Sequence, residues 1–458
     1  MTATTFSALP LSPEMLSNLE SLGYKEMTSI QAQSLPIILQ GRDIIAKAKT
    51  GSGKTAAFGI GLLAQLNVKQ FAIQALVLCP TRELADQVAK EIRRIARATH
   101  NVKVLTLCGG VPLGPQLGSL EHGAHIVVGT PGRIVDHIEK GSLKLDQIKQ
   151  LVLDEADRML DMGFTDALKV VLAACPQERQ TLLFSATYPD EIKKISAHCQ
   201  KNPHEVSVEA IHSDVNIEQH FYELRDGNRK NIAVQQLLAH FKPQSSIVFC
   251  NTKIQCQEVC DLLRAQRINA LELHGDLEQK ERDQVLVRFA NRSCPVLIAT
   301  DVAARGIDIK GLDAVINVEL AHDSEVHVHR IGRTGRAGES GLALSLVAPN
   351  EMGRLNRLED YLQKGISLEE LPENDGVIAI TPEMVTLCID GGKKEKVRPG
   401  DIIGALTKEA GLAFEKIGKI DIFEFCAYVA VHQSIAKQAL QHLQDGKIKG
   451  RKFRARKL

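Results

Sequence analysis

The chain has 458 residues, 44% of them hydrophobic, and a formal net charge of +1, which is enough apolar side chain for about three folded domains. No run approaches the roughly 18 apolar residues of a membrane span, and Met1 to Glu20 has no basic region ahead of an apolar stretch. Both features argue against a membrane protein or a secreted precursor and for the cytoplasm. The ten cysteines include Cys79, Cys108 and Cys250 inside apolar runs, which suits reduced core thiols better than a disulfide framework, and Cys256 and Cys260 lack zinc spacing. Charge is uneven: Ile378 to Leu458 holds 15 Lys and Arg against 9 Asp and Glu, whereas the rest holds 41 against 46. A basic end on a mildly acidic body points to nucleic acid or an acidic surface, with a solvated charged face as the alternative.

In chain order, Phe6 to Gln31 carries little pattern by itself. It leads to Ala48-Lys49-Thr50-Gly51-Ser52-Gly53-Lys54-Thr55, where glycines free backbone N–H groups to face phosphate oxygens ahead of a helix N-terminus. Lys54 would reach the outer phosphates and the Thr55 hydroxyl would sit on Mg²⁺. Ala48 stands where the phosphate-loop pattern has its first glycine.

Apolar runs that each end in polar residues follow. Ala75 to Cys79 precedes Pro80-Thr81-Arg82-Glu83, Val104 to Leu107 precedes Gly109-Gly110, and Ile126 to Val128 precedes Thr130-Pro131-Gly132-Arg133. Leu151-Val152-Leu153 stops at Asp154-Glu155-Ala156-Asp157, and Thr181 to Phe184 precedes Ser185-Ala186-Thr187. Helix-compatible stretches between them predict repeated β-α units, a parallel sheet and functional residues at its carboxyl edge. Asp154 suits a hard cation bound largely through water and substrate phosphates, and Glu155 can take a proton from water.

After a weakly patterned segment, Val206 to Asn216, a second series begins. Ile247 to Cys250, Leu271 to Leu273 and Val296 to Ile298 are each followed by polar and then helical sequence. This half has no phosphate loop; it has Arg330, Arg333 and Arg336 in His329-Arg330-Ile331-Gly332-Arg333-Thr334-Gly335-Arg336, arginines available to phosphates. The two halves are expected to complete one site. His327 and His329 read as packed rather than catalytic.

Ser367 to Gly376 reads as a linker. A small domain with the order β-α-β-β-α-β follows, the arrangement of an RNA-recognition motif, with a ferredoxin-like packing module as the alternative. Tyr428 alone suggests the stacking aromatics of that motif, and Val431 and Cys388 occupy its other expected stacking positions. Lys393, Lys394, Lys396, Arg398, Lys447, Lys449, Arg451 and Lys452 favour a structured RNA held by charge and shape.

On these motifs, the chain from about Phe6 to about Leu362 resembles a DEAD-box RNA helicase core. The resemblance implies an ATP-dependent RNA helicase with two tandem RecA-like parallel-sheet domains (1–206 and 207–366), a linker (367–377) and an RRM-like α+β domain (378–458). It implies that Gln31, with Phe6 stacking, recognises adenine, that Ala48, Lys49, Thr50, Gly51, Ser52, Gly53, Lys54 and Thr55 hold the triphosphate, and that Asp308 contacts the nucleotide. Thr55 and Asp154 would hold Mg²⁺, partly through water, Glu155 would act on water, and Arg333 and Arg336 would be arginine fingers. Asp157, Ser185 and Thr187 would couple hydrolysis to RNA strain. Thr81, Arg82, Gly110, Thr130, Gly132 and Arg133, joined by Arg282 and Thr300, would grip the RNA backbone. Tyr24, Met27 and Ser29 replace the Phe and prolines commonest in the adenine motif.

The small residues, glycine backbone and few arginines at the proposed core contacts suit phosphate and 2′-hydroxyl groups and offer little reading of base edges. With Cys388-Ile389-Asp390-Gly391-Gly392-Lys393-Lys394 and Gly446-Lys447-Ile448-Lys449-Gly450, the whole chain resembles the bacterial DEAD-box protein A (DbpA/YxiN) group. That implies docking on a hairpin of 23S ribosomal RNA and unwinding of nearby duplex during large-subunit assembly, by a monomer. Sequence pattern alone stops at RNA. Rival readings are a P-loop ATPase that moves DNA or another polymer and an RNA-binding scaffold or clamp with ATP-gated binding and little unwinding.

Overall fold

The computed structural model describes residues 5–47, 51–188, 190–208, 217–304, 311–335, 341–373 and 380–458. These fall into two compact units, 5–208 and 217–458.

The first unit is built on strands β1 (Ile44–Lys47), β2 (Ala75–Leu78), β3 (Val104–Leu107), β4 (Ile126–Gly129), β5 (Gln150–Leu153), β6 (Gln180–Ser185) and β7 (His204–Ser207). They form one sheet of order β3-β4-β2-β5-β6-β1-β7, parallel throughout. The apolar runs are continuous rather than alternating because both faces are covered. Val77, Val152, Leu182 and Phe184 join one core with the helices Ser29–Leu39, Lys54–Ala64 and Arg82–Ile95. Leu76, Leu151, Leu153 and Leu183 face the other way, into a core shared with Pro131–Glu139 and Thr165–Ala174.

The second unit begins with β8 (Ile217–Glu223), β9 (Ser246–Cys250), β10 (Ala270–Leu273), β11 (Val296–Thr300), β12 (Ala314–Asn317), β13 (Gly341–Val347) and β14 (Leu368–Glu369). Their sheet is again parallel, in the order β10-β11-β9-β12-β13-β8-β14. The segment expected to be wholly linker therefore starts with a short strand on the sheet edge. His220 of β8 fixes it by hydrogen bonds of 2.9 and 3.1 Å to the Glu369 carboxylate.

The tail places β15 (Met384–Ile389), β16 (Ile417–Ile422), β17 (Ala427–His432) and β18 (Ala455–Lys457) in an antiparallel sheet of order β16-β17-β15-β18. The helices Pro399–Gly404, continued by a wider turn over Ala405–Glu409, and Ala436–Asp445 complete the expected β-α-β-β-α-β order. Val385, Leu387, Ile389, Val429 and Val431 face these helices. Val431 thus lies on the core face, not at a stacking position, because side chains alternate along a strand and it is an odd step from Tyr428.

Candidate nucleotide and nucleic-acid site

Because every strand of the first sheet runs the same way, their carboxyl ends share one edge. The strand order sorts the predicted residues along it. Gly110 follows β3, Thr130, Gly132 and Arg133 follow β4, and Thr81 and Arg82 follow β2. On the other half, Asp154 and Glu155 follow β5, Ser185 ends β6 with Thr187 beyond it, and β1 runs toward Lys54. Residues expected for phosphate backbone and for nucleotide thus occupy separate halves of one edge.

In the nucleotide half, Gly51 and Gly53 adopt positive φ values of 86° and 97°, and Gly53 caps the helix Lys54–Ala64. A Cβ at Gly53 would meet the Gln31 amide and the Thr28 hydroxyl in a backbone conformation that other residues rarely adopt, so glycine suits this close approach. Gln31 is buried; its Nε2 donates to the Gly53 carbonyl at 3.1 Å and its Oε1 accepts from Thr28 N–H at 2.9 Å. It ties the loop to the start of the helix Ser29–Leu39. Phe6 is buried edge-on against Tyr24, 6.1 Å between centroids.

Lys54 and Asp154 are both buried, Nζ to Oδ1 3.9 Å, and neither atom has a hydrogen-bond partner among the described residues; Ser52 Oγ is likewise unpartnered. Burial pushes the Asp154 carboxyl up, against the opposite pull of the Lys54 charge. Thr55 is half-buried beside them. Glu155 sits in the left-handed region at φ 52°, an uncommon conformation for a non-glycine residue, which turns the chain from β5 into the helix Ala156–Asp161. Ala48, Lys49, Thr50, Asp308 and Arg336 lie outside the described residues.

Within the nucleotide half, the ends of β5 and β6 connect through Asp157. Thr187 donates its backbone N–H at 3.0 Å and its hydroxyl at 3.2 Å to Asp157 Oδ2, and the Asp157 N–H donates to Ser185 Oγ at 3.3 Å. The end of β6 is thereby bonded to the acidic helix. In the other half, Thr81 caps the helix Arg82–Ile95 by accepting from the Leu84 N–H, and Thr130 stands at the N-terminus of Pro131–Glu139 without a capping bond from its side chain. Arg82 lies over Gly110, and nothing crowds Gly132. Arg133 bonds to the Val111 carbonyl at 3.1 and 3.2 Å and to Asp136 at 3.1 Å.

The second unit corrects one expectation. Arg330 is not available to phosphate: it is 1% exposed, with Nε and Nη2 bound to Asp301 at 2.7 Å each. Nη2 also donates to Asn251 Oδ1 and Nη1 to the Glu319 carbonyl, each at 2.7 Å. It braces the helix Ser324–Ile331 against β9 and β12. Arg333, just beyond that helix, is half-buried. Arg282 reaches the His274 and Ala303 carbonyls at 3.4 and 3.3 Å, and the Thr300 hydroxyl accepts from Ala303 N–H at 3.4 Å. His327 is buried against Phe221, neither ring nitrogen has a partner among the described residues, and burial pushes it down to about 4, which fits packing rather than catalysis.

In the tail, Lys447, Lys449, Arg451 and Lys452 are exposed around a tight turn in which Ile448 pairs with Arg451. The sheet face of Cys388 and Tyr428 is closed: both are buried with Val287 of the helix Gln279–Ala290. Beside them Thr386 Oγ1 meets Ser293 Oγ at 2.7 Å and accepts from Asn291 Nδ2 at 3.2 Å. Sequence reasoning missed this joint, although Met384-Val385-Thr386-Leu387-Cys388-Ile389, with no charge on either face, is what a strand covered on both sides looks like.

A phosphate loop on a parallel sheet, with a buried lysine and carboxylate facing each other at its edge, defines an enzyme that hydrolyses a nucleoside triphosphate. The DEAD/DEAH box helicase family model matches residues 28–195, the helicase conserved C-terminal domain 229–338, and the DbpA RNA binding domain 386–457. The ATP-dependent RNA helicase DbpA of Escherichia coli strain K12 is 55% identical over 456 residues, covering 99% of this chain and 100% of the relative. DbpA of Bacillus subtilis strain 168 is 37% identical over 475 residues, covering 99% of each chain. Among solved structures, Saccharomyces cerevisiae Dbp5 bound to RNA and ADP BeF3 is 30% identical at a TM-score of 0.70, covering 81% of this chain and 96% of that one. The chain belongs to the DEAD-box ATP-dependent RNA helicases of the DbpA type, with two RecA-like parallel-sheet domains and an RNA-binding domain.

Proposed function

We propose that this helicase remodels or unwinds short RNA duplexes at a structured hairpin of 23S ribosomal RNA during assembly of the large ribosomal subunit, in the cytoplasm. The observation that carries its chemistry is the buried pair of Lys54 Nζ and Asp154 Oδ1, without hydrogen-bond partners among the described residues, which a triphosphate and a hard cation would satisfy together. Thr55 and Asp154 are the oxygen ligands that would hold Mg²⁺, partly through water. Bound there, Mg²⁺ would neutralise charge between the outer phosphates. Lys54 binds the same phosphates, Glu155 takes the proton of the attacking water, Arg333 and Arg336 meet the charge that grows on the transferred phosphoryl group, and Gln31 and Phe6 read adenine. Asp157, Ser185 and Thr187 pass the state of the nucleotide half to Thr81, Arg82, Gly110, Thr130, Gly132 and Arg133 on the RNA half, with Arg282 and Thr300 adding to the grip. The ribosomal target follows the resemblance to the DbpA/YxiN group and is supported by likeness that extends through the tail. The domains are residues 1–206, 207–366 with β14 joining the second sheet from the segment 367–377, and 378–458.

Glu155→Gln tests the chemistry. The amide keeps the size but cannot act as a base, so ATP and RNA binding are expected to persist while turnover falls on the order of 10²-fold or more. Turnover close to that of the parent protein would remove Glu155 from the role.

A further inference from the structure

In the tail, the sheet face that an RNA-recognition motif uses to stack bases is occupied by the chain itself, since Tyr428 is 1% exposed against the helix Gln279–Ala290. Stacking of an unpaired base has to occur elsewhere or not at all. Phe425 is 64% exposed in a chain whose aromatic residues make up only 4% of the sequence. It lies in the turn between β16 and β17, and Lys394 Nζ lies 5.0 Å from its ring centroid.

The turn is held in place. Lys393 N–H donates to the Phe423 carbonyl at 2.9 Å and Lys394 N–H to the Glu424 carbonyl at 3.0 Å, so the loop after β15 lies directly on it. A Cβ at Gly392 would collide with the Phe423 and Glu424 carbonyls and the Cys426 amide, so glycine is required for this approach. Phe423 packs inward, edge-on to Tyr428 with 5.3 Å between centroids, leaving Phe425 as the outward ring. Further cations lie on the neighbouring loops, with the exposed Glu424 beside Phe425 in the turn itself. Lys393, Lys394, Lys396 and Arg398 are exposed on the adjoining loop, and Lys449 reaches across from the other basic turn to the Lys396 carbonyl at 3.4 Å. Lys280, at the start of the helix Gln279–Ala290, adds charge from the second sheet domain near Cys426.

Resting on the reading that the tail binds RNA, we propose that Phe425, backed by Lys394, is a stacking platform for one unpaired nucleobase. An exposed ring with a cation on one side and phosphate-binding lysines around it has the composition of a single-strand site: stacking supplies affinity without base choice, and the lysines hold the flanking phosphates. A protein partner would more naturally cover an apolar surface with a polar rim. The turn therefore adds a preference for unpaired RNA next to whatever structured element the basic residues hold.

The test uses the full chain and two probes: an RNA duplex with a five-nucleotide single-stranded extension containing 2-aminopurine, and the blunt form of that duplex. Phe425→Ala is expected to weaken binding of the extended RNA about tenfold, a modest value for one stacked base, to leave the salt dependence unchanged, and to leave the blunt duplex unaffected. Phe425→Trp should restore both affinity and 2-aminopurine quenching, and Lys394→Ala should lower the log-log salt slope by about one. Equal affinity of parent and Phe425→Ala for the extended RNA, or equal losses on both RNAs, would overturn the platform. Absence of any RNA-stimulated ATPase in the parent would instead overturn the broader reading of the chain as an RNA-dependent enzyme.

Discussion

Arg330 and Arg333, three residues apart, show how identical side chains come to stand in different surroundings. Arg330 shares two hydrogen bonds with Asp301 and fills a site closed to water, whereas Arg333, three residues on, stands past the helix end. Arg330→Ala would strand Asp301 and the oxygens of Asn251 and Glu319, and removal of one partner from a buried pair costs about 3–5 kcal/mol. The expected result is a large drop in thermal midpoint. Arg333→Ala should instead leave that midpoint within a few degrees and slow ATP hydrolysis by a factor on the order of 10³, the scale of an arginine finger. Calorimetry and steady-state turnover on both variants separate the roles, and a strongly destabilised Arg333→Ala would withdraw the assignment. Nothing in His329-Arg330-Ile331-Gly332-Arg333 distinguishes the two by sequence. Spacing places residues along a chain, but burial comes from Asp301 and Asn251, which follow β11 and β9 and reach Arg330 only through the sheet order.

At the scale of elements, legibility depends on how many neighbours decide the outcome. Strands β2, β5, β6, β9 and β11 can be read directly, because each is a continuous apolar run ending in polar residues, and a parallel sheet then sends those residues to one edge. Val431 is easily misplaced because a single odd step along a strand exchanges faces, and β14 hides inside a segment that reads as linker because two residues carry no period. What holds β14 is specific: His220 donates toward Glu369 and also meets Glu218 at 3.0 Å. Burial works against a charged His220, but hydrogen bonds and attraction from the two carboxylates outweigh it, so its affinity for a proton is raised above the ordinary imidazole value. The sign follows: the protonated ring stabilises the strap fully below the unfolded value near 6.5 and the contribution disappears as pH rises through the raised value. After correction for intrinsic exchange, amide protection at Leu368 and Glu369 is expected to be higher at pH 6 than at pH 8. Glu369→Gln should flatten that difference, and equal protection at both pH values in the parent would rule out the histidine as the clasp.

At the scale of the whole molecule, charge separates along the chain: 15 basic against 9 acidic residues from Ile378 onward and the reverse excess before it. The contacts proposed on the core edge are threonines, glycines and few arginines, groups suited to backbone rather than base edges, so preference among RNAs is expected from the tail. Because the tail is bonded to the second sheet domain through Thr386, Asn291 and Ser293, an RNA held by its basic turns would be tethered to that domain, which carries the proposed contact Arg282, at a raised effective concentration. Replacing Lys447, Lys449 and Lys452 with alanine should therefore act on sensitivity rather than on chemistry. ATPase activation by the ribosomal hairpin is expected to need a much higher RNA concentration, with the maximal rate largely kept. The log-log salt slope should fall by about one for each lysine–phosphate pair removed, and activation by an unrelated duplex should change far less. Titrating intact and substituted protein with both RNAs at several salt concentrations measures all three. If the substituted protein still prefers the hairpin as strongly as the parent, selectivity lies elsewhere, and the basic turn is only a solvated surface.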